Sequence, residues 1–233
     1  MMIYFDGRAL ENTAPVMVED IMVSPIQLSP VSRQRPVRFG SEFVRMMGGQ
    51  RTVDITFGLL TNDPVARTHQ LEALTDWARS DTEKRLILPN YDNKFLTCIC
   101  TQLPEPSMRQ WWESRLRFVF TCFDDPYWNS AEEKSATCGA AFFAGGNAPP
   151  RMRIENTFSA SASDVAYSDG TNTATFSTVP AGDMVIDLTR QTAAVGTTSI
   201  MQYFTFGSKF PVPIAGTQTI TGTGTIKFRE RWQ

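Results

Sequence analysis

The sequence predicts a mainly β protein in two parts: an α+β N-terminal region with one packed helix, then an all-β, jelly-roll-like sandwich. Three observations carry that prediction. Apolar side chains alternate with period two over 51–60 and 115–122, as in half-buried strands. A single convincing helical stretch, 64–80, lies between them. From residue 151 onward helical periodicity vanishes and Thr, Ser, Ala and Gly dominate, with short extended runs at the spacing of a sandwich.

Each element has its own warrant. Ile21 to Leu28 is apolar and extended, but Pro25 lacks an amide donor and demotes the run to an edge or a bulge. In 51–60, Val53, Ile55, Phe57 and Leu59 point one way and Thr52, Asp54 and Thr56 the other. The helix begins where Asp63 can accept orphan amide bonds and Pro64 fits the first position without missing a donor. Leu71, Leu74, Trp77 and Ala78, with Ala66 and Ala73, share its broad apolar face, and His69, Glu72, Asp76 and Arg79 fall opposite. Short strands follow at 86–88 and 94–100 around the turn residues 89–93. In 115–122, Leu116, Phe118, Phe120 and Cys122 oppose Arg115, Arg117 and Thr121. These residues define an N-terminal domain over 1–130.

The stretch 131–150, rich in Gly, Ala and Pro, reads as a linker with at most a short edge strand. In the C-terminal domain, 151–233, strands are expected at 152–156, 173–179, 184–188, 200–206 and 218–229. In the last of these Ile220, Ile226 and Phe228 share a face with Gly222 and Gly224, where missing side chains permit a bend or a close approach.

Composition excludes several classes of function. Basic and acidic residues number 22 and 24, a balance unlike that of a dedicated nucleic-acid binder. No apolar run reaches the roughly 18 residues of a spanning helix, and the start lacks the basic-then-apolar pattern of a secretory signal. Cys98 and Cys100 lie two apart on one strand face, wrongly aimed for an easy mutual disulfide. With one histidine in the chain, a zinc site would need nearly every cysteine. Free structural thiols are therefore expected, with no metal and no cofactor.

Catalytic inventories also fail. His69 is the single imidazole and sits on the polar face of the helix. No G-x-S-x-G elbow and no phosphate-binding glycine loop occurs. Asp124 and Asp125 could be imagined as a glycosidase pair, but neighbours on an extended chain face apart, and a turn before Pro126 explains them better. Trp111 and Trp112, beside Arg109 and Arg115, could stack a sugar; tandem aromatics on a strand more often divide between core and interface. Arg33, Arg35, Arg38, Arg45 and Arg51 cluster around the lone acid Glu42. Three readings stay open for them: an inter-subunit arm whose arginines meet a neighbour's carboxylates, a plain charged hairpin surface, or contacts to nucleic acid in a channel.

The order of parts resembles the distal tail protein (Dit) family of siphophages. In the N-terminal half the resemblance rests on the opening Phe5-Asp6-Gly7-Arg8, the strand 51–60, and the helix with Leu71, Leu74 and Trp77. The Leu86-Ile87-Leu88-Pro89 strand and the ending Phe118 to Trp128 with its Asp125-Pro126-Tyr127 follow. The second half contributes Met184-Val185-Ile186-Asp187-Leu188, Phe206-Gly207-Ser208-Lys209-Phe210-Pro211, the turn Pro213 to Ile220 and the ending Lys227 to Trp232. The resemblance implies a tail-tube-like β-sandwich with one packed helix, followed by a galectin-like sandwich. It implies a non-enzymatic virion protein at the distal end of the tail, assembled in the host cytoplasm as a homohexameric ring. Its partners would be the major tail-tube protein and the tail-tip or tail-associated lysin hub, with the tape-measure protein and DNA passing transiently through the lumen. The alternative is a carbohydrate-binding receptor-recognition module of a tail tip. Some relatives carry an inserted sugar-binding module, for which the C-terminal part of this chain is too short.

Overall fold

A computed structural model describes residues 2–34, 41–61, 63–91, 93–103 and 115–233, with 28–34, 41–48 and 115 described by backbone alone. The chain is mostly β-strand and divides into two compact units, Met1–Trp128 with Gln233, and Asn129–Trp232. The first contains β1 (Tyr4–Phe5), β2 (Arg8–Ala9), α1 (Leu10–Thr13), β3 (Val16–Val23), β4 (Leu28–Gln34), β5 (Ser41–Gly48) and β6 (Arg51–Leu59). It continues with α2 (Pro64–Ala78), β7 (Lys84–Ile87), β8 (Lys94–Gln102) and β9 (Arg115–Cys122), and β10 (Trp128–Ser130) spans the boundary.

Apart from β4 and β5, the strands of the first unit run antiparallel in the order β3-β6-β9-β8-β7-β1-β2. Three strand spacings separate β1 from β9, about 14 Å in a flat sheet. Yet the Phe5 and Phe120 rings sit 5.0 Å apart, so the sheet curls over itself and encloses a core. Helix α2 closes that core. Asp63 caps it as expected, its carboxylate accepting the Val65 amide at 3.1 Å. Leu74, Trp77 and Ala78 are buried, whereas His69, Glu72, Asp76 and Arg79 are exposed. Trp77 meets Phe5, Phe118 and Phe120, and its indole N–H donates to the Arg8 carbonyl at 2.9 Å. Arg8 in turn donates to the Trp77 carbonyl at 2.8 Å, satisfying an orphan acceptor at the helix C-terminus.

The second unit contains β11 (Lys134–Thr137), β12 (Ala141–Ala144), β13 (Ala148–Phe158), β14 (Ala162–Ser168), β15 (Thr173–Val179) and β16 (Gly182–Asp187). After these come β17 (Thr192–Val195), β18 (Thr198–Ser199), β19 (Gly216–Thr219) and β20 (Thr225–Trp232). One antiparallel sheet has the order β18-β17-β16-β13-β20-β11, and β14–β15 and β12–β19 pair separately. Met152, Ile154, Ile186, Ile226 and Phe228 from the sheet meet Ala144, Tyr167, Phe176, Val179 and Ile220 from the other pairs in one core.

Three expectations are corrected here. The stretch 131–150 is not a free linker: it forms β11, paired with β20, and β12, paired with β19, and begins β13. The strand expected at 200–206 is a 3₁₀ turn, Met201–Tyr203, which lets Phe204 stack on Phe210 with ring centroids 4.7 Å apart. The strand expected over 218–229 is two strands. Gly222 and Gly224 hold φ of +136° and +106°, outside strand geometry, and break the run so that Ile220 and Ile226 both face the core. A side chain at Gly222 would strike the Tyr167 ring, so the close approach expected there is real.

Candidate functional site

The described part of the arginine segment before Arg51 lies on a hairpin. Strands β3 and β6 pair from Val16↔Leu59 to Val23↔Val53, and their ladder continues through Ser24 N–H to the Thr52 carbonyl at 2.9 Å. It then passes Gln27 and Gln50 into β4 and β5, which pair from Leu28↔Gly48 to Gln34↔Ser41. The arm is therefore the distal half of one long hairpin whose proximal half is built into the sheet. At the junction, a Cβ on Gly49 would sit 2.6 Å from the Gln27 carbonyl oxygen, which restricts that position to glycine. Among the described residues, β4 and β5 form a two-stranded sheet of their own.

The five arginines separate. Arg33 sits opposite Glu42, and Arg45 opposite Val31, in the arm's register. Arg35 and Arg38 lie outside the described residues, as do Arg109, Trp111 and Trp112. Arg51 belongs elsewhere: it opens β6, opposite Cys122, and is only 4% exposed. It extends the inward series of Val53, Ile55 and Phe57, a pattern already present in the sequence. Its Nε and Nη1 are buried without a hydrogen-bond partner, and burial pulls the guanidinium below its ordinary pKa.

The candidate catalytic groups stay apart. His69 is exposed, with Glu72 at 3.6 Å as its ion-pair neighbour. Asp124 is exposed, whereas Asp125 is buried and accepts the Tyr127 amide at 3.4 Å, which is the geometry of a local turn. Glu83 receives the Phe123 and Asp124 amides at 2.6 and 3.2 Å and fixes the chain entering that turn. No cluster of three His, Cys, Asp or Glu side chains suited to a metal occurs among the described residues, and no described helix is long and apolar enough to cross a membrane.

All four cysteines are free thiols. Cys100 is pushed up to about 11 by burial, and Cys138 is also raised by burial. Cys98 and Cys122 come from neighbouring strands, one register step beyond the Ile99–Thr121 pair. Burial, reinforced by the neighbouring Cys122 thiol, holds Cys98 well above the usual thiol range. The C-x-C spacing sets Cys98 only against Cys100; the strand register brings it to Cys122 instead.

In the second unit, an open cleft of about 540 Å³ is lined by Glu155, Thr157, Asp183, Val185, Gly224 and Lys227, among others. Its ionic groups are engaged with one another. Glu155 binds Arg153 and Lys227, each at 2.7 Å, and Asp183 accepts the Thr157 hydroxyl at 2.7 Å. The 205–214 loop is tied down at Asp169, whose carboxylate accepts amides of Thr171 at 2.8 Å, Asn172 at 2.6 Å and Val212 at 2.8 Å. At the loop's turn, closed by the Ser208 amide on the Thr205 carbonyl, Phe206 is fully exposed.

No family model matches the sequence, and no curated protein sequence does. Solved structures do match. SPP1 Dit, described as a paradigm of the hub adsorption apparatus of phages infecting Gram-positive hosts, aligns with a TM-score of 0.74 and 15% identity. The alignment covers 100% of this chain and 99% of that one. The chain has the Dit fold. The structure of the phage p2 baseplate in its activated conformation gives a second match, with a TM-score of 0.50 and 9% identity over 100% of this chain and 97% of that one. The Dit fold thus accounts for both units and leaves no additional domain within the chain.

Proposed function

We propose that this chain is a structural subunit of a phage tail tip, a Dit-type ring component that joins the tail tube to the tip or baseplate and catalyses no reaction. The full-length likeness to SPP1 Dit, spanning both units, carries the reading. Two physical features support it. A two-stranded ribbon is marginal by itself in water, so the arm of β4 and β5 gains from a surface to lie on, and a neighbouring copy supplies one. Strand β3 ends the sheet order of its unit among the described residues and exposes Met17 and Met22, at 54% and 62%.

In this reading the first unit closes a head-to-tail ring of six copies, a heterologous contact that repeats until it closes. Arg33, Arg35, Arg38 and Arg45 of the arm meet carboxylates of the adjacent copy. The ring stands at the distal end of the tail between the major tail-tube protein and the tail-tip or lysin hub. Its lumen passes the tape-measure protein and DNA during ejection, and assembly takes place in the host cytoplasm. The second unit is a galectin-like sandwich directed at tip partners. Native mass spectrometry of the purified chain, alone and with its tail-tube protein, tests this. Six times the 26.1 kDa subunit mass is expected. A monomer in both samples overturns the ring.

A further inference from the structure

We propose that Cys98 and Cys122 form a latent disulfide, a modification site that closes into a cross-strand bond when the folded protein meets a small oxidant. The placement is set by the sheet. Ile99 pairs with Thr121 and Cys100 with Phe120, so Cys98 and Cys122 are the next opposed pair along β8 and β9. Opposed residues of antiparallel strands fall within the Cα separations that a disulfide bridges. The other two cysteines are excluded by position. Cys100 pairs with Phe120 and donates to the Gln102 carbonyl at 3.3 Å, and Cys138 belongs to the second unit.

Both sulfurs are buried, which protects them in a reducing cytoplasm and restricts the oxidant to a small neutral molecule such as hydrogen peroxide. Cys122 is the more reachable. It is the last residue of β9, and the exposed Phe123 and Asp124 follow it directly. Cys98 sits inside β8, and its burial keeps it protonated. Cys122 sulfur therefore attacks a peroxide oxygen first; the O–O bond breaks, and the departing hydroxide takes the thiol proton to become water. Cys98 sulfur then attacks the Cys122 sulfenic acid. The S–S bond forms, the S–O bond breaks, and a second water leaves with the Cys98 proton. Two thiols and one peroxide thus give one disulfide and two waters, with sulfur oxidised and peroxide oxygen reduced. The proposed function enters only in locating the change of medium, from the cytoplasm of assembly to the exterior.

The test treats the native full-length chain with peroxide, removes the oxidant with catalase, then unfolds, alkylates and maps the peptides by mass spectrometry. Alkylatable thiols should fall from the four free in this structure to two. The Cys98–Cys122 link should persist in Cys100→Ser and disappear in Cys98→Ser and in Cys122→Ser. The exposed Met17 and Met22 report that the oxidant acted. Four alkylatable thiols in a sample whose Met17 and Met22 are sulfoxides overturns the proposal, as does a link through Cys100 or Cys138. A monomer that forms the link removes the ring and leaves this inference standing; a ring without the link does the reverse.

Discussion

The two units solve the same problem, enclosing a β-rich core, with different materials. The first gathers large aromatics around one indole: Trp77 contacts Phe5, Phe118 and Phe120, and Phe57 stacks on Phe118 at 4.9 Å. The second also buries Tyr167, Phe176, Phe210 and Phe228, but fills the space between them with small residues such as Ala144, Ala174, Val179 and Ala193 and ties its loops and outer face with polar anchors. Asp169 holds one loop. Glu133, Arg153, Glu155 and Lys227 form a continuous ion ladder across the sheet, with contacts of 2.7–2.8 Å. Aromatic packing concentrates stability in a few side chains, whereas a polar ladder in water spreads it thinly. The first unit should therefore be brittle to single truncations and the second tolerant, except where one charged group accepts several amides.

The sharpest way to break that contrast is Trp77→Ala. Removing an indole from the centre of a packed core costs about 3–5 kcal/mol, and the lost N–H bond to Arg8 adds to it. Chemical denaturation should show a large drop in midpoint; a loss below about 1 kcal/mol would refute the aromatic account. Next is Asp169→Ala, expected to cost about 2 kcal/mol because a charged acceptor of several amides is removed. Burial opposes ionisation of Asp169, but the Asn172, Val212 and Thr171 amides and the Asn172 side chain outweigh it and hold the carboxyl at about 2. Because the folded value is depressed, the contribution is present above the unfolded value of 3.8 and fades as pH falls toward about 2. Thermal melts of the parent should lose stability across that window more steeply than those of Asp169→Asn. The smallest effect sharpens the comparison from the other side. Arg51 is a buried cation in the aromatic unit with two unpartnered nitrogens, so Arg51→Met should be neutral or stabilising by about 1 kcal/mol. A melting temperature several degrees lower would show that the guanidinium contributes to the fold.

The same contrast explains how much of the molecule was legible in the sequence. Val53, Ile55 and Phe57, Leu116, Phe118 and Phe120, and the Asp63-Pro64 helix start are local signals of large effect, and each lies where its pattern implies. The second unit offered weaker ones. Its strands are short and Thr-rich, and what decides them is pairing with distant partners: β11 and β12 exist because β20 and β19 lie beside them. Composition alone made that stretch look like a tether. Phe204 keeps a single antiparallel bridge to Phe176 and stacks its ring on Phe210, an arrangement that no window around residue 200 reveals. At the candidate site, the charge cluster marks the hairpin, while the inward turn of Arg51 is signalled only by its odd-numbered register with Val53. The meeting of Cys98 with Cys122 depends on the register between two strands distant in sequence and was beyond any spacing rule.

The long hairpin through β3, β4, β5 and β6 has a mechanical consequence. Because the arm shares its backbone with β6, which is hydrogen-bonded on both sides by β3 and β9, a pull along the arm loads those two ladders in shear. Many bonds must then yield together, where a peeling load would open them singly. Rooted this way, the described part of the arm transmits a load through β6 into the sheet that borders the aromatic core.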